Sequence, residues 1–172
     1  MSILEPNKGN LLIAEPSILN DSTFSRSIIL VTEYTENNTV GFILNRPLDY
    51  VLSDLVTDIN CDFPIYEGGP VEQDNLYFVH RVPKLIPESI RISNGIFWGG
   101  NFESLKRALQ TNQINKNDIR FFLGYSGWGK DQLKEEINNL DKEDEIYYEE
   151  EKNALESLIE YIPKAEEIKK KI

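Results

Sequence analysis

The chain has 172 residues, of which 40% are hydrophobic and 27% charged, and this is the composition of a globular protein with one core. Its formal net charge of −11 repels nucleic-acid phosphates, so we expect no direct DNA binding. The single cysteine, Cys61, excludes an internal disulfide and is typical of a reducing compartment, so we expect a cytoplasmic protein. We also expect neither a signal peptide nor a membrane span, because no stretch approaches the ~20 apolar residues that a span needs.

The N-terminal part of the chain is predicted to form strands. Leu11–Ala14 is a short apolar run that Pro16 ends. Residues 27–33 have a continuous β-branched centre, which predicts a strand buried on both faces. A turn at 36–38 then returns residues 40–44 as the hairpin partner of that strand.

The next segment predicts a break, a short helix and a sharp turn. Pro47 ends the preceding strand, and a helix beginning at Asp49 or Ser53 contains Leu55 and Ile59. Glycine and proline then make residues 65–71 a tight turn.

Two glycines in that turn carry a specific prediction. Pro70 biases Gly69 away from the α region, so at least one of Gly68 and Gly69 is predicted at positive φ.

The middle of the chain predicts a strand, a hairpin and a helix. The strand covers residues 76–79, and the hairpin pairs residues 90–93 with residues 96–98 around an Asn-Gly turn. Asn101 caps the helix, which has an apolar inward face and ends near Thr111.

The stretch at 119–137 is predicted to run from a strand through a glycine loop into a helix. The strand covers residues 119–125, and Gly127 and Gly129 form a turn at positive φ that presents Trp128. The carboxylate of Asp131 is predicted to cap the helix that follows.

The fold class follows from the order of these elements. Strands precede the first long helix and helices come late, which favours one α+β domain with a mixed, mostly antiparallel sheet and helices outside. The acidic segment 140–172 is predicted to be mainly helical, with an edge strand at 146–148.

Five stretches of the chain, in this order and spacing, resemble the AlgH/YqgE family: residues 9–16 (GNLLIAEP), 24–30 (FSRSIIL), 40–48 (VGFILNRPL), 68–71 (GGPV) and 124–133 (GYSGWGKDQL). The resemblance implies a bacterial cytosolic α+β domain with a bifurcated sheet that curls into a pseudo-barrel. Members of that family are generally called transcriptional regulators or left uncharacterised, and the resemblance supplies no catalytic residues.

Two features depart from the family pattern. Lys130 and Asp131 stand where the family loop usually has Pro-Gly, and residues 138–141 lack the tryptophan that the family tends to place there. The resemblance therefore covers residues 9–137 best and the tail least.

Hydrolase and metal chemistry find weak support in the sequence. Gly124 to Trp128 looks like the nucleophile elbow G-x-S-x-G around Ser126, but its fifth position is tryptophan instead of glycine. The sole histidine, His80, is better interpreted as a hydrogen-bonded structural residue than as a base. No motif has the spacing of a metal site, so we expect no metal and no cofactor.

The candidate ligand-binding residues are Arg46, Gly68, Gly69 and Trp128. Arg46 can bind an anion beside the glycine turn, or it can pair with an acid such as Glu67. Arg26 has the same two interpretations, and Trp128 can line a pocket or fill the core.

The sequence favours a non-enzymatic binding or regulatory protein, monomeric or weakly dimeric, with a protein partner or a small anionic ligand. The alternative is an enzyme or small-anion-binding protein that uses a loop pocket around Arg46, Gly69 and Trp128.

Overall fold

The computed structural model describes residues 6–14, 27–138 and 146–149. Its strands are β1 Leu11–Ala14, β2 Ile28–Tyr34, β3 Asn38–Ile43, β4 Pro47–Val51, β5 Pro64–Glu67, β6 Val71–His80, β7 Ile90–Ser93, β8 Ile96–Trp98, β9 Ile119–Gly129 and β10 Ile146–Glu149. Its helices are α1 Leu52–Leu55, α2 Phe102–Gln110 and α3 Gln132–Asn138. None of these helices has the length and apolar character needed to cross a membrane.

The strands form one branched sheet in the order β10-β1-β2-β3-β9-β6-β8-β7, and β5 joins β9 from a side branch that also holds β4. Within the described residues the β5–β9 pair is parallel and the other pairs are antiparallel. Together with the helices that flank it, this curled half-barrel sheet confirms the predicted α+β fold with a mixed, mostly antiparallel, bifurcated sheet.

Strand β9 is where the sheet branches. Its first half pairs with β5 and β6, and its second half pairs with β3. Gly124 lies between the halves at φ 72°, which glycine adopts without the steric penalty of a Cβ. The prediction that the strand ends before a glycine turn is wrong, because Gly127 and Gly129 pair with β3 and neither lies at positive φ.

Three apolar clusters cover the faces of this sheet. The half-barrel interior contains nine buried residues: Leu11, Ile28, Leu30, Phe42, Leu44, Val79, Ile92, Ile96 and Phe122. A second cluster lies between the β5–β6–β9 part of the sheet and α1 and α2, and includes Leu52, Ile65, Phe78, Leu105, Ala108, Leu109 and Phe121. A third lies under α3 and contains Leu12, Ile29, Val31, Ile43, Trp128 and Leu133.

Several local predictions are confirmed. The β2–β3 and β7–β8 hairpins form as predicted, and β10 pairs as an edge strand with β1. Asn101 caps α2, since its side chain accepts a hydrogen bond from the Ser104 N–H at 2.9 Å, and α2 ends at Gln110 with Thr111 as its C-cap, near the predicted end.

Other local predictions are wrong. Pro47 begins strand β4 instead of only ending a strand, as proline can where a strand starts. Helix α1 is a single turn that buries Leu52, so Ile59 lies beyond it. Asp131 sits at φ 58° and its backbone carbonyl, not its carboxylate, accepts from the Glu135 N–H.

The predictions made for Arg26 and for a helical tail beyond residue 149 fall outside the described residues.

Candidate functional site

The Gly68–Gly69 connection between β5 and β6 lies directly against β9. The Gly68 N–H donates to the Leu123 carbonyl at 2.9 Å, and the Gly68 carbonyl accepts from the Ile43 N–H at 2.9 Å. A Cβ on Gly68 would lie 2.2 Å from the Gly124 carbonyl oxygen. The three glycines therefore allow two backbones to approach more closely than any side chain permits.

Gly69 lies at φ 159°, at the edge of the positive-φ region, so the predicted conformation is met only marginally. Space is the stronger constraint, because a Cβ there would lie 2.2 Å from both the carbonyl carbon and the carbonyl oxygen of Tyr125.

Arg46 lies beside this glycine contact and pairs with Glu67. A guanidinium nitrogen is 3.8 Å from the Glu67 carboxylate, and the Glu67 N–H donates to the Arg46 carbonyl at 2.8 Å. Both side chains are about a quarter exposed, so the pair contributes little to stability. This is the pairing that the sequence offered as the alternative to an anion site.

Trp128 lies elsewhere, in the cluster under α3. It is 7% exposed, and its indole N–H donates to the Glu136 carboxylate at 3.0 Å. The structure thus brings Arg46, Gly68 and Gly69 together but not Trp128. A ligand-binding role for these four residues stays a prediction.

Ser126 and His80 each have a structural partner. The fully buried Ser126 hydroxyl donates to the Gly68 carbonyl at 3.1 Å. The His80 Nδ1 accepts from the Val82 N–H at 3.2 Å, so the hydrogen is on Nε2, which donates to the Gly99 carbonyl at 3.0 Å. Burial lowers the pKa of His80, which keeps the ring neutral. These contacts support the structural interpretation of both side chains.

The described residues contain no group of three or more His, Cys, Asp or Glu side chains that could hold a metal ion. Burial raises the pKa of the Cys61 thiol, so its reactive thiolate is disfavoured.

An open depression of about 560 Å³ lies between β4, α1, β6 and β9, and the sequence did not predict it; we call it the β4–β6 depression. It is lined by Leu48, Tyr50, Leu55, Glu67, Gln73, Asp74 and Leu123. Tyr50 and Leu55 are large apolar side chains, yet they are 50% and 38% exposed. The alternation of Leu48 and Tyr50, two residues apart, was the signal that could have indicated a strand face here.

A bulge in β6 shapes the rim of this depression. The pairing of β6 with β9 shifts between Val71 and Leu76, and Glu72 lies at φ 48°. The extra residues project outward, which places Gln73 and Asp74 at the rim. The Tyr77 hydroxyl donates to the Glu72 carboxylate and ties the bulge to the strand below it.

A second depression, of about 650 Å³, lies where the β2–β3 turn meets the start of α3. Its lining mixes both signs of charge, with Lys130 and Lys134 beside Glu36 and Asp131. It therefore shows no preference for either sign of ligand.

Comparison with known proteins identifies the family. The family model described as AlgH-like matches residues 11–142. The chain belongs to the AlgH-like family. UPF0301 protein BF2109 of Bacteroides fragilis is 40% identical over 149 residues, which are 83% of this chain and 74% of that protein. A UPF0301 protein of Chlorobium limicola is 41% identical over 130 residues, which are 75% of this chain and 69% of that protein.

Two solved structures share the fold. The solution structure of the AlgH protein from Pseudomonas aeruginosa superposes with a TM-score of 0.70 at 21% identity, over 99% of this chain and 90% of that one. The crystal structure of protein DIP2367 from Corynebacterium diphtheriae gives a TM-score of 0.65 at 25% identity, over 87% of this chain and 80% of that one. The predicted family resemblance is therefore confirmed.

Proposed function

We propose that this AlgH-like protein is a non-enzymatic binding module that takes a segment of another protein in the β4–β6 depression. The observation that carries the proposal is the exposure of Tyr50 and Leu55 beside the half-buried Leu48 and Leu123. Apolar side chains left in water at a concave surface are typical of a binding site. A volume of about 560 Å³ suits one large side chain and its neighbours.

The rim indicates the chemistry of the partner. Asp74 is exposed and forms no ion pair with another described residue, whereas the charge of Glu67 is partly offset by Arg46. The chain as a whole carries a net charge of −11. The expected partner segment therefore has an apolar or aromatic side chain next to lysine or arginine.

The same charge supports regulation by protein contact rather than by direct DNA binding. The protein would act in the cytoplasm, in keeping with its single cysteine, and as a monomer or weak dimer.

Peptide selection tests the proposal. A displayed random-peptide library is selected against the wild-type protein, and the recovered peptides are titrated against wild type and against the double variant Tyr50→Ser/Leu55→Ser. We expect peptides with an apolar residue beside Lys or Arg, and at least a tenfold loss of affinity for the double variant.

Ile90→Ser is the matched control. Ile90 is 51% exposed, as Tyr50 is at 50%, but it lies on β7 and does not line the depression. This variant should bind the peptides like wild type. Asp74→Lys should weaken binding, and added salt should do the same. Recovery of no peptide, or equal affinity for the double variant, would refute the proposal.

A further inference from the structure

Arg120 brings a positive charge into the half-barrel. Its side chain lies over the Tyr66 ring, with the guanidinium carbon 4.6 Å from the ring centroid, and one nitrogen donates to the Leu44 carbonyl at 3.0 Å. Among the described residues no carboxylate forms an ion pair with it. Burial lowers the pKa of this guanidinium, which is nevertheless charged at neutral pH. A largely desolvated cation paired only with a carbonyl and a ring leaves several donors without an anion.

Trp98 supplies a second donor, and this one has no acceptor. Its indole nitrogen is buried, and it is the one side-chain nitrogen or oxygen among the described residues that is buried without a hydrogen-bond partner. Buried polar groups without a partner are rare, because each gives up its hydrogen bond to water and gets none in return. Such a group calls for an acceptor that the polypeptide itself does not provide.

The two donors project from the same face of the sheet. Val79 of β6 pairs with Trp98 on one side and with Arg120 on the other, and directly paired residues of an antiparallel sheet share a face. Two contacts reach this face from β3 and from the residue that follows it. The Phe42 ring of β3 lies 6.1 Å from the Trp98 ring, and the carbonyl of Leu44, the residue after β3, accepts from Arg120. Both donors therefore lie beside one segment of the chain, among apolar and aromatic side chains.

We propose that the half-barrel binds a small organic carboxylate between the Arg120 guanidinium and the Trp98 indole N–H. A carboxylate matches the planar fork of a guanidinium and still has a lone pair for the indole. Its apolar body would lie against the Tyr66 and Trp98 rings, which are partly exposed and which an inorganic anion could not use. Openings of β-barrels are common places for such ligands.

This site is separate from the β4–β6 depression of the proposed function. Leu123 lines the depression, whereas its neighbour Phe122 points into the half-barrel, because successive residues of a strand face opposite sides. Either site can therefore fail without the other.

The chain has two tryptophans, so the responding indole and its control appear in the same NMR spectrum. ¹⁵N-labelled wild-type protein is titrated with sodium benzoate at constant ionic strength, and the two indole N–H peaks are followed by NMR. The Trp98 peak, assigned by its loss in Trp98→Phe, should move downfield and saturate with a dissociation constant of about 1 mM or tighter. The Trp128 peak should stay, because its N–H already donates to Glu136.

Variants and other anions define the contacts. Arg120→Met should weaken benzoate at least tenfold, whereas Arg107→Met, which removes the same charge from an exposed position on α2, should leave it unchanged. If Arg120→Met does not fold, Arg120→Lys keeps the charge without the planar fork and should weaken binding several-fold. Acetate should bind more weakly than benzoate, and inorganic phosphate more weakly still.

Three outcomes would overturn the proposal. A Trp98 peak that does not move would mean that water satisfies the indole. Peaks that move together in proportion to added salt would mean non-specific binding. Phosphate that binds as tightly as benzoate would exclude an organic ligand.

Discussion

Replacing Gly69 by alanine tests the backbone contact that joins the β5–β6 connection to β9. An added Cβ would lie 2.2 Å from the Tyr125 carbonyl carbon and oxygen and 2.4 Å from the Ser126 nitrogen. All three are backbone atoms of β9, where Tyr125 pairs with Val71 of β6 and Ser126 pairs with Gly41 of β3, so no flexible side chain can move away. The connection itself must open by about 1.3–1.8 Å to bring the 2.2 Å contacts to the ~3.5–4.0 Å of ordinary van der Waals contact.

The cost can be worked from what that opening disturbs. Overpacking of a well-packed interior costs about 1–3 kcal/mol. The hydrogen bonds of Gly68 to Leu123 and Ile43, both at 2.9 Å, lie in the path of the movement, and each contributes about 1 kcal/mol. We therefore expect a loss of about 3–5 kcal/mol, which is a large share of the ~5–15 kcal/mol that stabilises a domain.

Thermal and urea unfolding followed by circular dichroism measures this loss. For a chain of 172 residues it corresponds to a fall in Tm of roughly 6–20 °C. Gly129→Ala is the matched control, because the nearest atom to its Cβ is the Gln132 side-chain oxygen at 3.8 Å. It should change stability by no more than about 0.5 kcal/mol. A Gly69→Ala variant that melts within about 2 °C of wild type would refute the close contact.

Three further predictions concern single side chains. Trp128→Ala should destabilise the protein by about 3–5 kcal/mol, because it leaves a cavity in the cluster under α3 and removes the indole partner of Glu136. Trp128→Phe should cost less, and a Trp128→Ala variant that melts like wild type would contradict the core position of the ring. His80 binds a proton less readily in the folded than in the unfolded protein, so its contribution to the unfolding free energy should be fully present above pH ~6.5 and fall as the pH drops below that value. Urea unfolding of His80→Gln at several pH values should lack this pH-dependent loss. Ser126→Ala should cost only about 1 kcal/mol, because the Gly68 carbonyl keeps the Ile43 N–H, and a much larger drop in unfolding free energy would contradict this.

The elements predicted correctly are those that are determined by residues a few positions apart in the sequence. The Asn94–Gly95 turn fixed the β7–β8 hairpin, and Asn101 fixed the start of α2. Both signals act within about four positions of the chain, so one sequence is enough to see them.

The wrong predictions concern residues whose structure depends on pairing with strands far away in the sequence. Gly127 and Gly129 belong to a strand only because β3, some ninety residues earlier, pairs with them. Strand β4 was missed for the same reason, since Pro47 is tolerated where it pairs with Tyr66 of β5. The contacts of Trp98 and Arg120 depend on the register of three strands, which no local pattern of the sequence reveals.

The glycines and the β4–β6 depression are parts of one arrangement rather than competing interpretations. Gly124 marks the point where β9 changes its pairing partners, and a Cβ there would lie 2.8 Å from the Val71 carbonyl and 3.3 Å from the Gln73 Cα. The bulge of β6 can therefore rest on β9 only where β9 has glycine, and that bulge carries Asp74 to the rim of the depression. Filling the glycine contact should consequently displace the rim as well as lower stability. The close backbone contacts at Gly68, Gly69 and Gly124, which no side chain would allow, therefore couple the stability of the sheet to the shape of the β4–β6 depression.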